Sequence, residues 1–366
     1  MRIPQRAIII NSPHSGRSAQ LSEAITQLQQ SGIEVINTIP IATLDNLPPQ
    51  GTTWKESGID VAVAAGGDGL VGGVITHIAT SGLPLGILPL GTSNDIARSL
   101  QIPQDIELAA RAIAQGKEQE VDVGVARPAE QAPHPAGKHQ TGPVLAHVDL
   151  EKHGYFAHAL TVGLNVQFAR IATNVATRQR YGRMAYPVAA LETLKYQGAL
   201  DVQLEFEGLA MPQAKASSDG QPALTRATMD EQPLLHCRVL QIAVINAPIF
   251  GGRWELAIPE ANLRDRLLDI VVIEEIELGK LGRTLARFFG PKDSEAIPTS
   301  NEEEQPFLHH PADLSRIPGI HHLQARGVMI TTGADPRDVT LDGEVRGQTP
   351  MSVHVADERL LVKVPG

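Results

Sequence analysis

The sequence carries one cysteine, Cys237, in 366 residues. An internal disulfide and a cysteine-based zinc cluster are thereby excluded, and the thiol is expected to be buried and inert. Aromatic residues amount to 4%, too few to build a stacking surface for single-stranded nucleic acid. The net charge is −10, which argues against a DNA or RNA binder, since that needs a basic face. No apolar run reaches the roughly 18 residues of a membrane span. The opening MRIPQRAIIINSP is too short and wrongly ordered for a signal peptide. A soluble cytoplasmic protein is expected. Against these absences stand 42% hydrophobic and 20% charged residues, a composition that supports a sizeable core. At about 150 residues per domain the length suggests two domains.

The first third alternates strand and helix patterns. Apolar runs at Ala7–Ile10, Ile33–Ile36, Ile59–Ala64 and Leu85–Leu88 read as buried strands. Between and after them, residues 18–30, 71–79, 95–100 and 106–115 carry helical spacing. The pattern predicts a parallel sheet flanked by helices, with ligands at the carboxyl ends of the strands. Beyond about residue 120 the texture changes. Val121–Val125 reads as a strand, and 128–143 as a loop or insertion rich in Pro, Gly, Gln and His. Short strands are then expected at 144–150, 159–164, 199–206, 238–247, 267–273, 327–332, 339–341 and 352–354, which suggests a β-sandwich or barrel. Residues 208–233 and 291–319 read as mobile stretches. The pairs His309-His310 and His321-His322 lack accompanying carboxylates and read as polar loop histidines.

The chemistry-bearing signals are three turns that each follow a strand. Gly66-Gly67-Asp68-Gly69 comes first in specificity. Glycines there let backbone N–H groups approach a polyphosphate, and the next helix points its positive end at the same place. Asp68 is repelled by phosphate, so its useful roles are to engage Mg²⁺ or to help accept a proton; its bland role is a helix cap. The absence of a following Gly-Lys-Ser/Thr separates this turn from a Walker A loop. The second turn is Pro89-Leu-Gly-Thr-Ser-Asn-Asp-Ile-Ala-Arg98. Gly91 and Thr92 can reach a nucleotide, while Asn94 and Asp95 suit a helix cap. Arg98 can neutralise phosphate or pair with Asp95. The third is Ser12-Pro-His-Ser15-Gly16-Arg17.

These motifs together resemble the diacylglycerol kinase catalytic domain family, and more closely its bacterial soluble lipid kinase branch, related to sphingosine and ceramide kinases and distantly to NAD kinases. The likeness extends through Gly116–Asp122, Gly182–Tyr186, Asn246–Gly252, Ala257–Pro259, Leu263–Asp269 and Leu341-Asp342-Gly343-Glu344. Segments near 128–143 and 209–234 lack a counterpart. The resemblance implies a three-layer α/β/α nucleotide-binding domain over residues 1–122. It implies a β-sandwich substrate domain over 123–366, with insertions near 128–143, 209–234 and 291–319, and an active site between the two.

By the same resemblance the reaction is ATP-dependent phosphorylation of a lipid hydroxyl, most of all diacylglycerol or a related lipid alcohol. ATP contacts fall to Ser12, Ser15, Gly16, Thr38, Gly66, Gly67, Asp68, Gly69, Gly72, Thr92 and Arg98. Asp68 is the metal-linked catalytic carboxylate and Glu344 the proton acceptor, positioned by Asp342. A structural Mg²⁺ would use the Asp265 side chain with backbone oxygens of Asn262 and Leu267, and Asp122 would tie that region to the active site.

Three departures from the family pattern stand out. Leu70 replaces the usual Thr, Ser12 stands where Asn is usual, and Arg264-Asp265-Arg266-Leu267-Leu268-Asp269 replaces Asp-Asp-Gly-Leu-Leu-Asp. Losing an acid and gaining two arginines weakens the expected Mg²⁺ site, and an arginine could replace the cation electrostatically. Two other functions stay open: a kinase of a soluble substrate such as NAD, and a nucleotide- or lipid-binding regulator with impaired catalysis. Pro89-Leu-Gly-Thr-Ser-Asn-Asp95 favours the lipid branch over an NAD kinase, for which no convincing Asn-Glu pair follows the glycine turn. Leu278–Phe289 reads as a basic amphipathic helix, fit either to pack on the sandwich or to rest on an anionic bilayer. Arg178, Arg180 and Arg183 form a further basic cluster. The charge of −10 makes any contact with the inner membrane surface transient and peripheral. Sandwich edges often pair, so a homodimer is a further expectation.

Overall fold

The apolar runs become two β-sheets in a computed structural model, which describes residues 4–12, 20–44, 47–129, 154–163, 198–210, 234–250, 256–257, 261–275, 320–333 and 335–366. In chain order the first sheet begins with β1 (Gln5–Asn11), α1 (Leu21–Gln30), β2 (Ile33–Pro40), α2 (Gly51–Glu56), β3 (Val61–Gly66), α3 (Asp68–Ile78), β4 (Leu85–Pro89), α4 (Asp95–Ser99), α5 (Ile106–Gln115) and β5 (Lys117–Val121). The central strands β3 and β4 are buried from end to end. This is why they read as continuous apolar runs rather than alternating ones. Strand order 2-1-3-4 sends the first crossover one way and the later ones the other. Right-handed connections therefore put α1 on one face and α2 and α3 on the opposite face. Helix α5 packs on α1 through an apolar stripe containing Ala109, Ala110 and Ile113. It starts where the Asp105 side chain accepts a hydrogen bond from the Leu108 N–H at 2.9 Å.

The second region holds β6 (Gly124–Pro128), β7 (Tyr155–Phe156), β8 (Ala159–Gly163), β9 (Leu200–Glu207), β10 (Leu234–Ile245), β11 (Ile249–Phe250), β12 (Leu256–Ala257), β13 (Leu268–Glu274), β14 (Ile320–Ala325), β15 (Gly327–Thr332), β16 (Asp338–Leu341), β17 (Glu344–Gln348) and β18 (Met351–Val355). All but β11 and β12 join one sheet, whose internal pairings are antiparallel. Strand β9 alternates buried and more exposed residues, the signature of a sheet with one face on a core. That core gathers Phe156, Leu204, Val244, Ile270, Ile330 and Val353 among others, and the fold is a β-sandwich.

The chain then returns. β19 (Leu360–Val364) inserts between β4 and β5, parallel to the one and antiparallel to the other. A division at residue 122 leaves these residues with the second domain; the structure gives them to the first sheet. Lys363 is buried there and donates to Glu118 at 2.8 Å. The stretch read as one strand over Val121–Val125 is two, because Asp122 turns into the junction between the sheets. His321 and His322 are not loop residues: they lie on β14 and pair with Glu274 at 3.0 Å and Asp269 at 2.6 Å. Cys237 is half-buried, and burial followed by the charge of Glu274 pushes its thiol up to about 11. The expected strand at 144–150, His309-His310, the arginines at 178–183 and the amphipathic segment 278–289 fall outside the described residues.

Candidate active site

Parallel register sets the edge on which the glycine turns meet. Asn11 pairs with Pro40 and with Ala65, and Gly66 pairs with Pro89. The ends of β1, β2, β3 and β4 therefore lie level, and Ser12, Gly66–Gly69 and the 89–95 turn share one rim; Thr38 pairs with Ile9, two residues short of that rim. Ser15 and Gly16 lie outside the described residues.

Two of the turns touch directly. A Cβ on Gly91 would sit 2.3 Å from the Gly67 Cα, so neither position has room for a side chain. Asn94 holds the second turn in shape. It is buried with φ 53°, its Oδ1 accepts from the Gly91 N–H at 2.9 Å, and its Nδ2 lies 3.1 Å from the Pro89 carbonyl. The Asp68 carboxylate crosses between the turns: Oδ1 accepts from the Ile96 N–H at 2.9 Å, at the start of α4. Asp95 is buried and faces Arg98 at 3.7 Å, so this arginine has an acid of its own helix as a neighbour. Thr92 is exposed on the rim. Leu70 is buried and folds back on Gly66, where a Cβ would meet it at 3.0 Å. Its side chain joins the core and does not project over the turn.

The second sheet delivers its own turn to the same place. Asp342 and Gly343 have φ 48° and 89° and link β16 to β17 as a two-residue hairpin of the type favoured by Asp-Gly. The Asp342 carboxylate accepts from three consecutive N–H groups, those of Ala157, His158 and Ala159, at 3.1, 2.9 and 3.0 Å. Burial pushes its carboxyl above the ordinary value; His158 and the three N–H groups pull the other way. The same carboxylate lies against α3, where a Cβ on Gly72 would come within 2.5 Å of its Oδ2. Gly72 is thus covered by the sandwich and does not lie on the nucleotide rim. Glu344 follows, exposed, with Oε2 accepting from Arg346 and Oε1 3.7 Å from where a Cβ on Gly69 would lie.

A relay of hydrogen bonds closes the circuit between the sheets. Ser99 Oγ, at the end of α4, accepts from the Ile249 N–H at 3.1 Å. The Ile249 carbonyl lies 3.1 Å from His158 Nε2, and because a carbonyl can only accept, that ring nitrogen carries the hydrogen. The backbone N–H of His158 in turn donates to Asp342 Oδ1 at 2.9 Å.

The diacylglycerol kinase catalytic domain family matches residues 6–126, and the YegS C-terminal NAD kinase beta sandwich-like domain matches residues 159–292. The chain thus joins a diacylglycerol kinase catalytic domain to a YegS-type C-terminal domain. Curated relatives named diacylglycerol kinase include one from Staphylococcus saprophyticus, 22% identical over 351 residues, covering 94% of this chain and 91% of the relative. Another, from Staphylococcus aureus strain JH9, is also 22% identical and covers 94% and 88%. A crystal structure of a diacylglycerol kinase from Bacillus anthracis superposes over 100% of this chain and 98% of its own, with TM-score 0.56 and 18% identity. A further Bacillus anthracis chain gives TM-score 0.62 at 18% identity, covering 100% and 96%. The kinase fold is common to them, and the catalytic domain is that of an alcohol-acceptor phosphotransferase. No described helix is long and apolar enough to cross a membrane.

The expected metal position in the kinase's second domain is filled differently. Asp265 Oδ1 accepts from the Leu267 N–H at 3.0 Å and Asn262 Oδ1 from the Arg264 N–H at 3.1 Å. Burial pushes the Asp265 carboxyl above its ordinary value, with the Leu267 N–H opposing and Asp269 and Asp122 adding to the rise. Among the described residues no three His, Cys, Asp or Glu side chains are grouped to hold a metal ion. Two guanidinium groups occupy the neighbourhood instead, on Arg266 and Arg359, and both reach Asp122. The residues present do not fit a structural Mg²⁺ on Asn262, Asp265 and Leu267. Sequence reasoning missed His158, Ser99, Arg346 and Arg359. Asp-Gly between β-prone runs signals the hairpin that carries Glu344 and Arg346; nothing local marks the others.

Proposed function

We propose that the chain transfers the γ-phosphoryl group of ATP to the hydroxyl of a lipid alcohol, with diacylglycerol or a close relative as acceptor. The observation that carries this reading is the approach of Glu344 Oε1 to Gly69. It sets an acidic side chain of one sheet beside the glycine turn of the other, with Asp68 at the start of α3 between the turns. In this reading the N–H groups of Gly66–Gly69 and the positive end of α3 receive the phosphates. Ser12, Ser15, Gly16, Thr38 and Thr92 contact the nucleotide, and Arg98 adds positive charge from α4. Asp68 is the residue that would hold Mg²⁺, which when bound neutralises charge on the phosphoryl group.

The acceptor hydroxyl attacks the γ-phosphorus from the sandwich side. Its proton passes to Glu344, the bond from the γ-phosphorus to the β–γ bridging oxygen breaks, and ADP leaves with that electron pair. Arg346 holds Oε2, which leaves Oε1 toward the glycine turn. Asp342 acts through position: three backbone N–H groups fix its carboxylate, and it seats the hairpin on Gly72. The acceptor lives in a bilayer, so the proposal includes transient peripheral contact with the inner membrane surface, for which 278–289 is the candidate segment, and pairing of sandwich edges in a homodimer.

The test is transfer of labelled γ-phosphate from ATP and Mg²⁺ to separate samples of diacylglycerol, monoacylglycerol, ceramide, sphingosine, phosphatidylglycerol and NAD, with Asp68→Ala as the blank. Label in a lipid, absent from the blank, is the expected result. Label in NAD alone, or label equal in wild type and blank, would overturn the proposal.

A further inference from the structure

The chain leaves the first sheet at Asp122 and returns to it just after Arg359, and these two residues meet. Asp122 is fully buried. Its Oδ1 accepts from Arg359 Nε at 2.9 Å and lies 3.5 Å from Arg266 Nε, while its Oδ2 accepts from the Arg266 N–H at 2.8 Å. Each guanidinium also binds backbone oxygens. Arg266 Nη1 donates to the carbonyls of Ala356 and Asp357 at 2.7 and 3.0 Å, and Arg359 Nη2 to that of Arg264 at 2.9 Å. Carboxylate oxygens and turned-in carbonyls, converging on positive charge, are the environment an oxygen-seeking cation would otherwise fill. Arg266 adopts φ 63° to reach it, a left-handed conformation that an arginine rarely takes. The nearby cavity, about 440 Å³, is walled by the same arginine with Asp265, Leu267, Arg326 and Asp357.

We infer that the guanidinium groups of Arg266 and Arg359 serve as the built-in cations of this junction, so that the joining of the two domains is independent of a divalent metal. Three chain segments meet there: the outgoing crossing at Asp122, the 263–267 turn and the returning crossing at 356–359. Asp122 binds the turn through its N–H to the Leu263 carbonyl at 2.6 Å, and its own carbonyl accepts from Asn246 Nδ2 at 2.8 Å. A buried carboxylate requires compensating charge. Here that charge is covalently part of the chain and cannot be removed by a chelator. The inference concerns stability and does not rest on the phosphotransfer reading.

The experiment is thermal unfolding of the full chain without nucleotide, in EDTA and in millimolar MgCl₂ at matched ionic strength. The wild type is expected to melt at the same temperature in both. Arg266→Gly suits the left-handed backbone and removes one guanidinium. That variant is expected to melt lower, by on the order of 5 °C, and to regain part of the loss in MgCl₂. Arg359→Gln, which keeps a polar side chain but is shorter and uncharged, is expected to melt lower as well. A wild type that loses stability in EDTA and recovers it with Mg²⁺ would overturn the inference, and that arm holds even if a variant fails to fold. Variants that melt with the wild type, or an Arg266→Gly protein indifferent to Mg²⁺, would overturn it too.

Discussion

Two aspartates, the half-buried Asp342 and the fully buried Asp122, fasten the sandwich to the nucleotide-binding sheet, and they are satisfied in opposite ways. Asp342 meets three peptide N–H groups, neutral donors that set direction as well as distance. Asp122 meets two guanidinium groups and one N–H, which supply charge. The first arrangement places a turn with precision, which suits a hairpin carrying Glu344 toward the glycine turn. The second holds three chain segments together, and Asn246 Nδ2 links it to the first by donating to the carbonyls of both Asp122 and Ala157. A fold of this kind separates the task of aiming a carboxylate from the task of keeping two sheets joined.

Removing the charge partner should produce the larger effect. Asp122→Ala leaves Arg266 and Arg359 facing each other across a site with no carboxylate, and breaking a buried pair costs about 3 kcal/mol. Denaturant unfolding should show this loss, and an unchanged midpoint would mean that the guanidinium groups are satisfied elsewhere.

The effect at Asp342 should be smaller and pH-dependent. Its folded-state carboxyl is raised above the ordinary value of 3.8, so over the window just above 3.8 the native state retains a proton that the unfolded state has released. Stability from this group therefore falls as pH rises through the window, and the cost of the buried charge is fully present above it. Asp342→Asn removes the titration. The wild type should gain stability relative to the variant as the pH is lowered from neutral toward 4, by about 1.4 kcal/mol for each tenfold gain in proton affinity on folding. Parallel stability curves for the two proteins would show that Asp342 does not carry the raised value.

How far the sequence already displays this arrangement depends on whether the signal is local. The strands around Ile9, Val63 and Ile87 are uniformly apolar and buried on both faces, so they are legible as a parallel sheet. The turns at Gly66–Gly69 and Gly91–Asn94 show themselves because glycine and asparagine meet a conformational or close-packing need there. β19 escapes such reading because Lys363 interrupts its apolar run, and only the structure supplies Glu118 as its partner. β14 escapes it because His321, His322 and Gln324 look like loop chemistry until Asp269 and Glu274 stand opposite them on β13. Arg359 lies 237 residues from Asp122, and no spacing rule connects them. The replacement of Gly by Arg at 266 is visible as a departure, whereas its consequence needs the folded geometry.

The central claim is that the hairpin of one domain completes the chemistry of the other's glycine turn. Its most direct test measures ATP affinity by calorimetry and γ-phosphoryl transfer to diacylglycerol for Glu344→Gln beside the wild type. The account predicts unchanged ATP affinity and transfer slowed by about 10²- to 10⁴-fold, the usual scale for removing a general base. Transfer at close to the wild-type rate would contradict it.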